Sequence, residues 1–200
     1  MLIRESGTTG LKLDPRVKRT RKLLQQALTE LMTEKSFRAI TVRDIAARAT
    51  LNRVTFYAHF PDKHALLEYT IRDMIRARLR SELPEGSAFN PNNLATLILT
   101  VCEFVSEMDR HCPPPHGQME PLMEKQIKAE LYEILRSWLT DLPLDGSQQP
   151  ATAEQTAMVS SWGIYGAALQ WSQQEEPEPV AEFAQQVLPL ILAGLQTTAA

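Results

Sequence analysis

The chain has 200 residues, of which 44% are hydrophobic, and a formal net charge of −3. This length is enough for one medium domain or two small ones, each with a buried core. No apolar run reaches the roughly 18 residues of a membrane-spanning helix, and the N-terminus lacks the apolar region of a signal peptide. Cys102 and Cys112, if they share one helix, lie about 15 Å apart, beyond disulfide reach, so we expect a reduced, cytoplasmic protein.

The charge is divided unevenly along the chain. Residues 11–80 contain 16 Lys and Arg against 7 Asp and Glu, whereas residues 81–200 contain 4 against 16. A segment of charge +9 followed by one of −12 favours a polyanion-binding module joined to an acidic remainder. The alternative, that exposed helices merely differ in charge, stays open on this observation alone.

Apolar residues recur at helical spacing almost everywhere, which predicts an all-α fold. Asp14 and Pro15 predict the start of a first helix, in which Leu24, Leu28 and Leu31 share one face. Further helices are predicted at about 93–110, 121–141, 151–174 and 180–196.

Two short helices are predicted between residues 41 and 60. Thr41 is expected to cap "VRDIAARA", and Asn52 to cap a helix that ends near His59. Pro61 is expected in the first turn of a fourth helix. Two short helices joined by a three-residue turn in a basic segment are typical of a helix-turn-helix.

The side chains of the second short helix suit a contact with DNA. Asn52, Arg53 and Thr55 provide the short or polar groups that approach base edges, and Arg43 can bind a guanine with two hydrogen bonds. Phe56 and Phe60 are expected to pack inward. The alternative is a three-helix core without a nucleic-acid role.

The stretches "ITVRDIAARA" and "TFYAHFPDKHALL" resemble the DNA-binding domain of the TetR family of bacterial transcriptional regulators, over residues 16–67. The resemblance implies base-edge contacts from Arg43, Arg53 and Thr55. It also implies phosphate contacts from Thr41, Tyr57, His59 and Lys63. The full predicted DNA-binding set is Thr41, Arg43, Asn52, Arg53, Val54, Thr55, Tyr57, His59 and Lys63.

The sequence departs from the family pattern at two positions. Thr50 stands where the family commonly has glycine, and a turn with positive φ would strain a β-branched residue there. Val54 stands where the family often has proline or a small residue, and we expect it to contact a thymine methyl group.

The resemblance and the break "LPEGSAFNPNN" predict three regions: a flexible N-terminal arm at 1–13, a helix-turn-helix domain at 14–83, and a helical ligand-binding and dimerisation domain at 84–200. A dimer is expected because two half-sites double the base pairs that are read. The last two helices are the predicted interface, through Met158, Trp162, Tyr165, Gly166, Leu169, Phe183, Val187, Leu190, Ile191 and Gly194. Packing inside one protomer is the alternative.

An apolar effector pocket is predicted between the helices of this second domain. Its expected lining is Cys102, Val105, Met108, Tyr132 and Trp162, which suits a hydrophobic or aromatic small molecule. No paired-carboxylate, nucleophile–base or phosphate-loop signature is present, so the sequence predicts no catalytic residue and no cofactor.

The overall prediction is a cytoplasmic, homodimeric regulator, most often a repressor in this family, which leaves a pseudo-palindromic operator when a small molecule binds. A metal- or redox-responsive regulator that uses His111, Cys112 and His116 is the alternative. The adjacency of His111 and Cys112 matches no usual zinc spacing.

Overall fold

The computed structural model describes residues 14–84, 86–111, 120–141 and 150–196. No strand occurs among these residues, in agreement with the predicted all-α class. The helices are α1 (Pro15–Glu34), α2 (Val42–Arg48), α3 (Arg53–His59), α4 (Lys63–Glu82), α5 (Pro91–His111), α6 (Glu120–Asp141), α7 (Pro150–Ser172) and α8 (Val180–Gln196). The arm predicted at 1–13 lies outside the described residues.

The predicted helix starts in the N-terminal third are confirmed at three caps and corrected at one. The side chains of Asp14, Thr41 and Asn52 each accept a hydrogen bond from a backbone N–H in the first turn of α1, α2 and α3. Pro61, in contrast, lies outside α4. Asp62 caps that helix, and its Oδ1 accepts hydrogen bonds from the amides of the second and third residues of α4, at 2.8 and 2.9 Å.

The chain packs as two compact units that divide between Leu67 and Glu68. The helix α4 therefore begins in the first unit and ends in the second. The boundary predicted near residue 83 falls at the end of α4 and stays a prediction.

The first unit has a core of apolar side chains from α1, α2, α3 and the start of α4. Residues with at most 2% exposure are Leu24, Ala27, Leu28, Ile40, Ile45, Ala46, Phe56, Leu66 and Leu67. The rings of Phe56 and Phe60 have centroids 6.1 Å apart, and both side chains are buried. Their inward packing, predicted from their spacing, is confirmed.

In the second unit α7 is the central helix, because it contacts α5, α6 and α8. Its buried side chains include Ala157, Ile164 and Ala168, all fully buried. The connection from α7 to α8 is fixed by Trp171, whose indole N–H donates to the carbonyl of Glu178 at 3.0 Å. The same indole stacks on Phe183 of α8. The two helices predicted at the C-terminal end thus pack on each other within one protomer.

Candidate nucleic-acid interface

The start of α2 is fixed by a reciprocal capping box. Thr41 Oγ1 accepts from the amide of Asp44, and the Asp44 carboxylate accepts from the amide of Thr41 at 3.0 Å. Lys35 Nζ lies 2.8 Å from the same carboxylate. The hydrogen bond from Lys35 and those from Thr41 lower the pKa of Asp44 to about 2. Oδ2 of this carboxylate therefore accepts from both Lys35 and the amide of Thr41.

The turn between α2 and α3 has the hydrogen bonds of a Schellman motif. The amide of Leu51 donates to the carbonyl of Ala46 at 2.8 Å, and the amide of Thr50 donates to the carbonyl of Ala47 at 3.1 Å. Thr50 has φ 55°, in the left-handed region. The turn therefore forms with threonine in place of glycine. Its β-branched side chain is held in a strained backbone conformation.

Several cations of the first unit are neutralised by carboxylates. Arg48, in the last turn of α2, places Nη2 2.8 Å from Glu34 of α1 and Nη1 3.4 Å from Glu30. Together with the contact between Lys35 and Asp44, these ion pairs hold α2 against the C-terminal part of α1.

Arg43 and Arg53 differ from these paired cations. Both are exposed, and neither forms an ion pair with a residue in the described ranges. Arg43 lies at the second position of α2 and Arg53 at the first position of α3. Two guanidinium groups with unused N–H donors are thus presented at the N-terminal ends of the two short helices.

The exposed surface of α3 continues with apolar and aromatic groups. Val54 is 73% exposed and Tyr57 is 50% exposed, whereas Thr55 is half-buried. Val54 therefore leaves an apolar side chain available to a partner on the surface of α3. Tyr57 is fixed by an edge contact with Phe56, at a centroid distance of 5.5 Å.

Two predicted residues with capping roles keep part of their hydrogen-bonding capacity. Thr41 uses its hydroxyl oxygen as an acceptor, and Asn52 uses Oδ1 as an acceptor from the amide of Val54 at 3.0 Å. The hydroxyl proton of Thr41 and the side-chain amide protons of Asn52 are donors, which these caps do not consume.

His59 and Lys63, like Thr55, are half-buried, whereas the other predicted residues are exposed. His59 is half-buried, and this burial and the positive charge of Arg21 lower its pKa below the usual range of histidine. Lys63 donates to three backbone carbonyls, those of Phe37, Arg38 and Ile40. The predicted set is therefore present in one unit, but Lys63 differs from the rest in having its donors occupied.

The predicted set omitted the basic residues of α1. Four exposed cations of this helix form no ion pair with any residue that the structure describes: Arg16, Lys18, Arg19 and Lys22. They contribute much of the +9 charge of residues 11–80. The charge count was the signal that could have assigned them to the interface.

In the second unit the five residues of the predicted effector pocket have different environments. Cys102 and Val105 are buried at 0 and 1% exposure, whereas Trp162 is 60% exposed. Burial raises the pKa of the Cys102 thiol to about 12, which makes it an inert core residue. Met108 and Tyr132 are half-buried.

A cavity of about 470 Å³ lies elsewhere in the second unit, between α4, the loop before α5 and α6. None of the five predicted residues lines it. Its walls are apolar at Leu79, Leu83 and Ile134. Arg76 Nε donates to the largely buried carboxylate of Glu130 at 2.6 Å on the same wall. The cavity therefore combines an apolar surface with a charged pair.

The predicted interface residues on α7 and α8 divide into exposed and buried groups. Met158 is 49%, Trp162 60% and Leu190 74% exposed. Tyr165 and Val187 are 6 and 7% exposed, so little of their surface is left for a second protomer. The remaining residues are exposed at Gly166 and Gly194 and half-buried at Leu169, Phe183 and Ile191.

Val159, which is not in the predicted set, is 65% exposed beside Met158. A Cβ at Gly163 would lie 3.2 Å from Ile191 Cδ1, so this glycine serves the close contact of α7 with α8 inside the protomer. Helical spacing alone does not distinguish a residue exposed on α7 from one that packs against α8 within the same protomer.

The alternative metal or redox site falls on Cys112, His116 and the side chain of His111, which lie outside the described residues. Within the described ranges, no three His, Cys, Asp or Glu side chains are grouped as a metal ion would need. Among the helices described, none has both the length and the hydropathy to span a membrane.

The first unit matches a known family. Residues 24–70 match the sequence model of the bacterial regulatory proteins of the tetR family. The HTH-type transcriptional regulator YxbF of Bacillus subtilis (strain 168) is 39% identical over 62 residues, which are 30% of this chain and 16% of that relative. The chain thus spans about a sixth of the length of this curated relative.

Solved structures share the fold over nearly the whole chain. A tetR-family transcriptional regulator from Streptomyces coelicolor aligns with a TM-score of 0.57 and 18% identity, over 91% of this chain and 82% of that one. Thermus thermophilus FadR, a transcriptional repressor in complex with lauroyl-CoA, aligns with a TM-score of 0.56 and 22% identity, over 87% of this chain and 94% of that one.

Two short helices joined by a turn, with exposed and unpaired arginines near their starts, give the first unit the arrangement of a helix-turn-helix. Over residues 24–70 this chain is similar to the bacterial regulatory proteins of the tetR family.

Proposed function

We propose that this protein is a sequence-specific, DNA-binding transcriptional regulator that acts as a homodimer. The observation that carries the proposal is the pair of exposed, unpaired guanidinium groups of Arg43 and Arg53 on the two short helices. Neighbouring cations such as Arg48 are neutralised by carboxylates. The fold thus leaves uncompensated charge on the helices that enter or cross the major groove in this motif.

The groups on α2 and α3 suggest a division of roles. Arg43 and Arg53 suit guanine edges, and the exposed Val54 suits a thymine methyl group. Thr55 supplies a shorter polar contact beside them. This arrangement gives direct readout of a few base pairs for each protomer.

Contacts with phosphates would come from the surrounding donors. Tyr57, Thr41 and Asn52 keep hydroxyl or amide protons that can be donated, and His59 lies at the same end of α3. We add the exposed cations of α1 to this set because non-specific affinity follows the number of phosphates neutralised.

The dimer is proposed to form through α7 and α8. Met158, Val159 and Trp162 expose an apolar stripe on α7, and Leu190 continues it on α8. A Cβ at Gly163 would lie 3.2 Å from Ile191 Cδ1, so α7 and α8 are adjacent there, which supports one surface made from the two stripes. A self-complementary apolar surface of this kind suits a two-fold axis, and two half-sites then make the operator pseudo-palindromic.

We further propose that the protein is a repressor released by a small molecule bound in the second unit. FadR of Thermus thermophilus, which shares the fold, is a repressor that binds lauroyl-CoA. The cavity between α4 and α6 offers a ligand an apolar wall beside an ion pair, which suits an amphipathic or aromatic molecule.

The helix α4 is the proposed link between effector and DNA. Within the second unit it is tied to α6 by Arg76–Glu130 and to α5 by Arg78–Glu103, at 2.6 and 2.7 Å. A ligand that alters either ion pair would change the preferred position of α4, which continues into the first unit. A coupling of about 1–3 kcal/mol would be enough for regulation.

Selection of bound sequences from a pool of random DNA duplexes tests the proposal. A dimeric regulator should enrich a pseudo-palindrome, with half-sites separated by about one helical turn or a multiple of it. Enrichment of a single half-site would contradict the dimer. Binding without any enrichment, lost between about 50 and 200 mM salt, would contradict sequence-specific regulation.

A further inference from the structure

Lys63 has an environment that an exposed phosphate ligand would not have. It is the first residue of α4, and its Nζ donates to the carbonyls of Phe37 at 2.9 Å, Arg38 at 3.1 Å and Ile40 at 2.7 Å. An ammonium group has three N–H donors, so all of them are used. The contacts reach 23–26 positions back along the chain.

The three carbonyls belong to the segment that leads into α2. A single 3₁₀ turn spans Phe37–Ala39, and Ile40 follows it directly before the cap Thr41. The carbonyl of Phe37 also accepts from the amide of Ile40 at 3.2 Å. Ile40 itself is fully buried, so loss of the hydrogen bond from Lys63 to its carbonyl would be costly. The ring of Phe37 lies 4.7 Å from Nζ and adds a cation–π contact.

The position of Lys63 at a helix start also needs explanation. The N-terminal end of a helix carries partial positive charge, which disfavours a cation in the first turn. The three carbonyl oxygens compensate, because they offer the negative ends of three peptide dipoles to the ammonium group. Partial burial lowers the pKa of Lys63 below the usual range, as expected for an ammonium that is not fully hydrated.

A contact with a DNA phosphate would compete with this arrangement. Turning Nζ towards a phosphate would remove donors from the carbonyls of Phe37 and Ile40, both of them bonds in partly buried surroundings. The exposed cations Arg43 and Arg53 have no such bonds to break.

We propose that Lys63 is a positioning residue, which fixes the start of α2 to the start of α4 and so places Arg43 for base readout without contacting DNA itself. Arg43 follows Ile40, whose carbonyl accepts one of the three hydrogen bonds from Lys63, by three residues. The capping box of Thr41 and Asp44 encloses Arg43 in the first turn of α2. This inference rests on the proposed DNA-binding function. It assigns to Lys63 a role in specificity rather than in non-specific affinity.

Substitution of Lys63 by arginine distinguishes a role in positioning α2 from a role in contacting a DNA phosphate. Arginine keeps the positive charge and binds phosphates well, but its planar guanidinium cannot direct three N–H groups to one converging set of carbonyls. Lys63→Met removes the charge and keeps a similar length. Lys22→Met is the matched control, since it removes an exposed, unpaired lysine of α1 that is assigned above to phosphate contacts.

Binding is measured to the best duplex selected from a random pool and to a random duplex, over a range of salt and at temperatures where circular dichroism shows each variant folded. We expect both Lys63 variants to reduce the ratio of specific to non-specific affinity about fivefold or more, which is the lower limit for losing one base contact. The salt slope on the random duplex should stay unchanged. Lys22→Met should lower that slope by about one unit.

Two outcomes would overturn the inference. One is full specificity in Lys63→Arg with a salt slope lowered by about one unit in Lys63→Met, which would make Lys63 a phosphate ligand. The other is a lower melting temperature in both variants with an unchanged specificity ratio, which would make it a residue for stability alone.

Amide hydrogen exchange without DNA gives an independent readout. The amides of Asp44 and Ile45 are bonded to Thr41, and in Lys63→Arg we expect them to exchange faster than in the unmodified protein. Unchanged exchange there would contradict the positioning role. If no duplex is selected from the pool, the proposed function fails, but this measurement still decides whether Lys63 holds α2.

Discussion

Two exposed surfaces of this protein differ in chemistry. On α2 and α3 the exposed groups are guanidinium groups without carboxylate partners, with one valine and one tyrosine beside them. The exposed side chains of α7 and α8 include the apolar Met158, Val159, Trp162 and Leu190 beside polar ones such as Gln170 and Gln186. Residues 155–174 and 183–196 contain no Asp, Glu, Lys, Arg or His, although Lys128 of α6 places Nζ 3.2 Å from the ring centroid of Trp162. A cationic surface suits a polyanion, whereas an uncharged apolar surface suits a copy of itself. The function proposed above needs both surfaces, and each can be altered without the other.

The largest effect is expected from a charge placed on the apolar surface. Leu190 is 74% exposed on α8, and Leu190→Asp would bury an unpaired carboxylate in the proposed dimer interface. We expect a monomer in analytical ultracentrifugation. Affinity for the selected duplex should fall by about 100-fold or more, because two linked half-site contacts become one.

Thr140→Asp is the control for this substitution, because it adds the same charge at an exposed position on α6. It should leave the molecular mass and the DNA affinity unchanged. A Leu190→Asp variant that still sediments as a dimer would show that the apolar surface of α7 and α8 is not the interface.

The cationic surface can be tested with two arginines of the same helix. Arg43 is unpaired, whereas Arg48 lies 2.8 Å from Glu34. Arg43→Ala should cost about 1–3 kcal/mol in binding to the selected duplex and relax the base preference at one position. Arg48→Ala should leave the base preference unchanged, because its guanidinium is held by carboxylates.

Repeating the duplex selection with both variants measures these preferences. Equal losses of specificity for Arg43→Ala and Arg48→Ala would mean that pairing inside the protein does not distinguish DNA ligands from structural cations. The cationic surface of α2 and α3 would still differ from the apolar surface of α7 and α8. The assignment of Arg43 to base readout and of Arg48 to structure would be wrong.

The local features of the helix-turn-helix were predictable because they depend on neighbours in sequence. Asp14, Thr41 and Asn52 cap helices through residues two or three positions away, and these caps are confirmed. The carbonyl partners of Lys63 could not be predicted in this way, since they lie 23–26 positions away along the chain.

For the apolar surface, the sequence predicted the two helices α7 and α8 but not which of their apolar residues are exposed. Because α7 contacts three other helices, apolar residues occur around its whole circumference. Tyr165 and Trp162 therefore looked equivalent in sequence, although one is buried and the other is 60% exposed. The effector pocket was less predictable still, since the cavity between α4 and α6 depends on how helices distant in sequence pack.

The turn between the short helices offers a test of stability on the cationic side. Thr50 has φ 55°, a conformation that costs a β-branched residue about 1–2 kcal/mol and glycine almost nothing. After the loss of backbone entropy that glycine brings, we expect Thr50→Gly to raise the free energy of unfolding by about 1 kcal/mol. Chemical denaturation measures the change.

Ala47→Gly is the matched control, because Ala47 is exposed and lies inside α2 with a right-handed helical backbone. It should lower the free energy of unfolding by about 0.5–1 kcal/mol. If both glycine variants were destabilised alike, the positive φ at Thr50 would not be a source of strain.

The smallest effect is expected from a change of pH. It should alter the stability of the first unit, which contains His59, and should not alter dimerisation through α7 and α8. Burial and the charge of Arg21 lower the pKa of His59, so the unfolded chain binds more protons than the folded chain below about pH 6.5. The stability associated with a neutral His59 is therefore complete above that pH and is lost as the pH falls towards the folded pKa. His59→Gln should remove this dependence, measured by denaturation between about pH 7 and 5.

Dimerisation should not follow the same pH dependence. The exposed stripes of α7 and α8 contain no group that titrates in this range, whereas protonation of His59 adds a cation to the DNA-binding surface. Acidification should thus weaken the fold of the first unit and strengthen its non-specific attraction to DNA, while the sedimenting mass stays constant. If the sedimenting mass changed with pH together with unfolding of the first unit, dimerisation through α7 and α8 would depend on that unit. The DNA-binding and dimerisation surfaces would then not be independent.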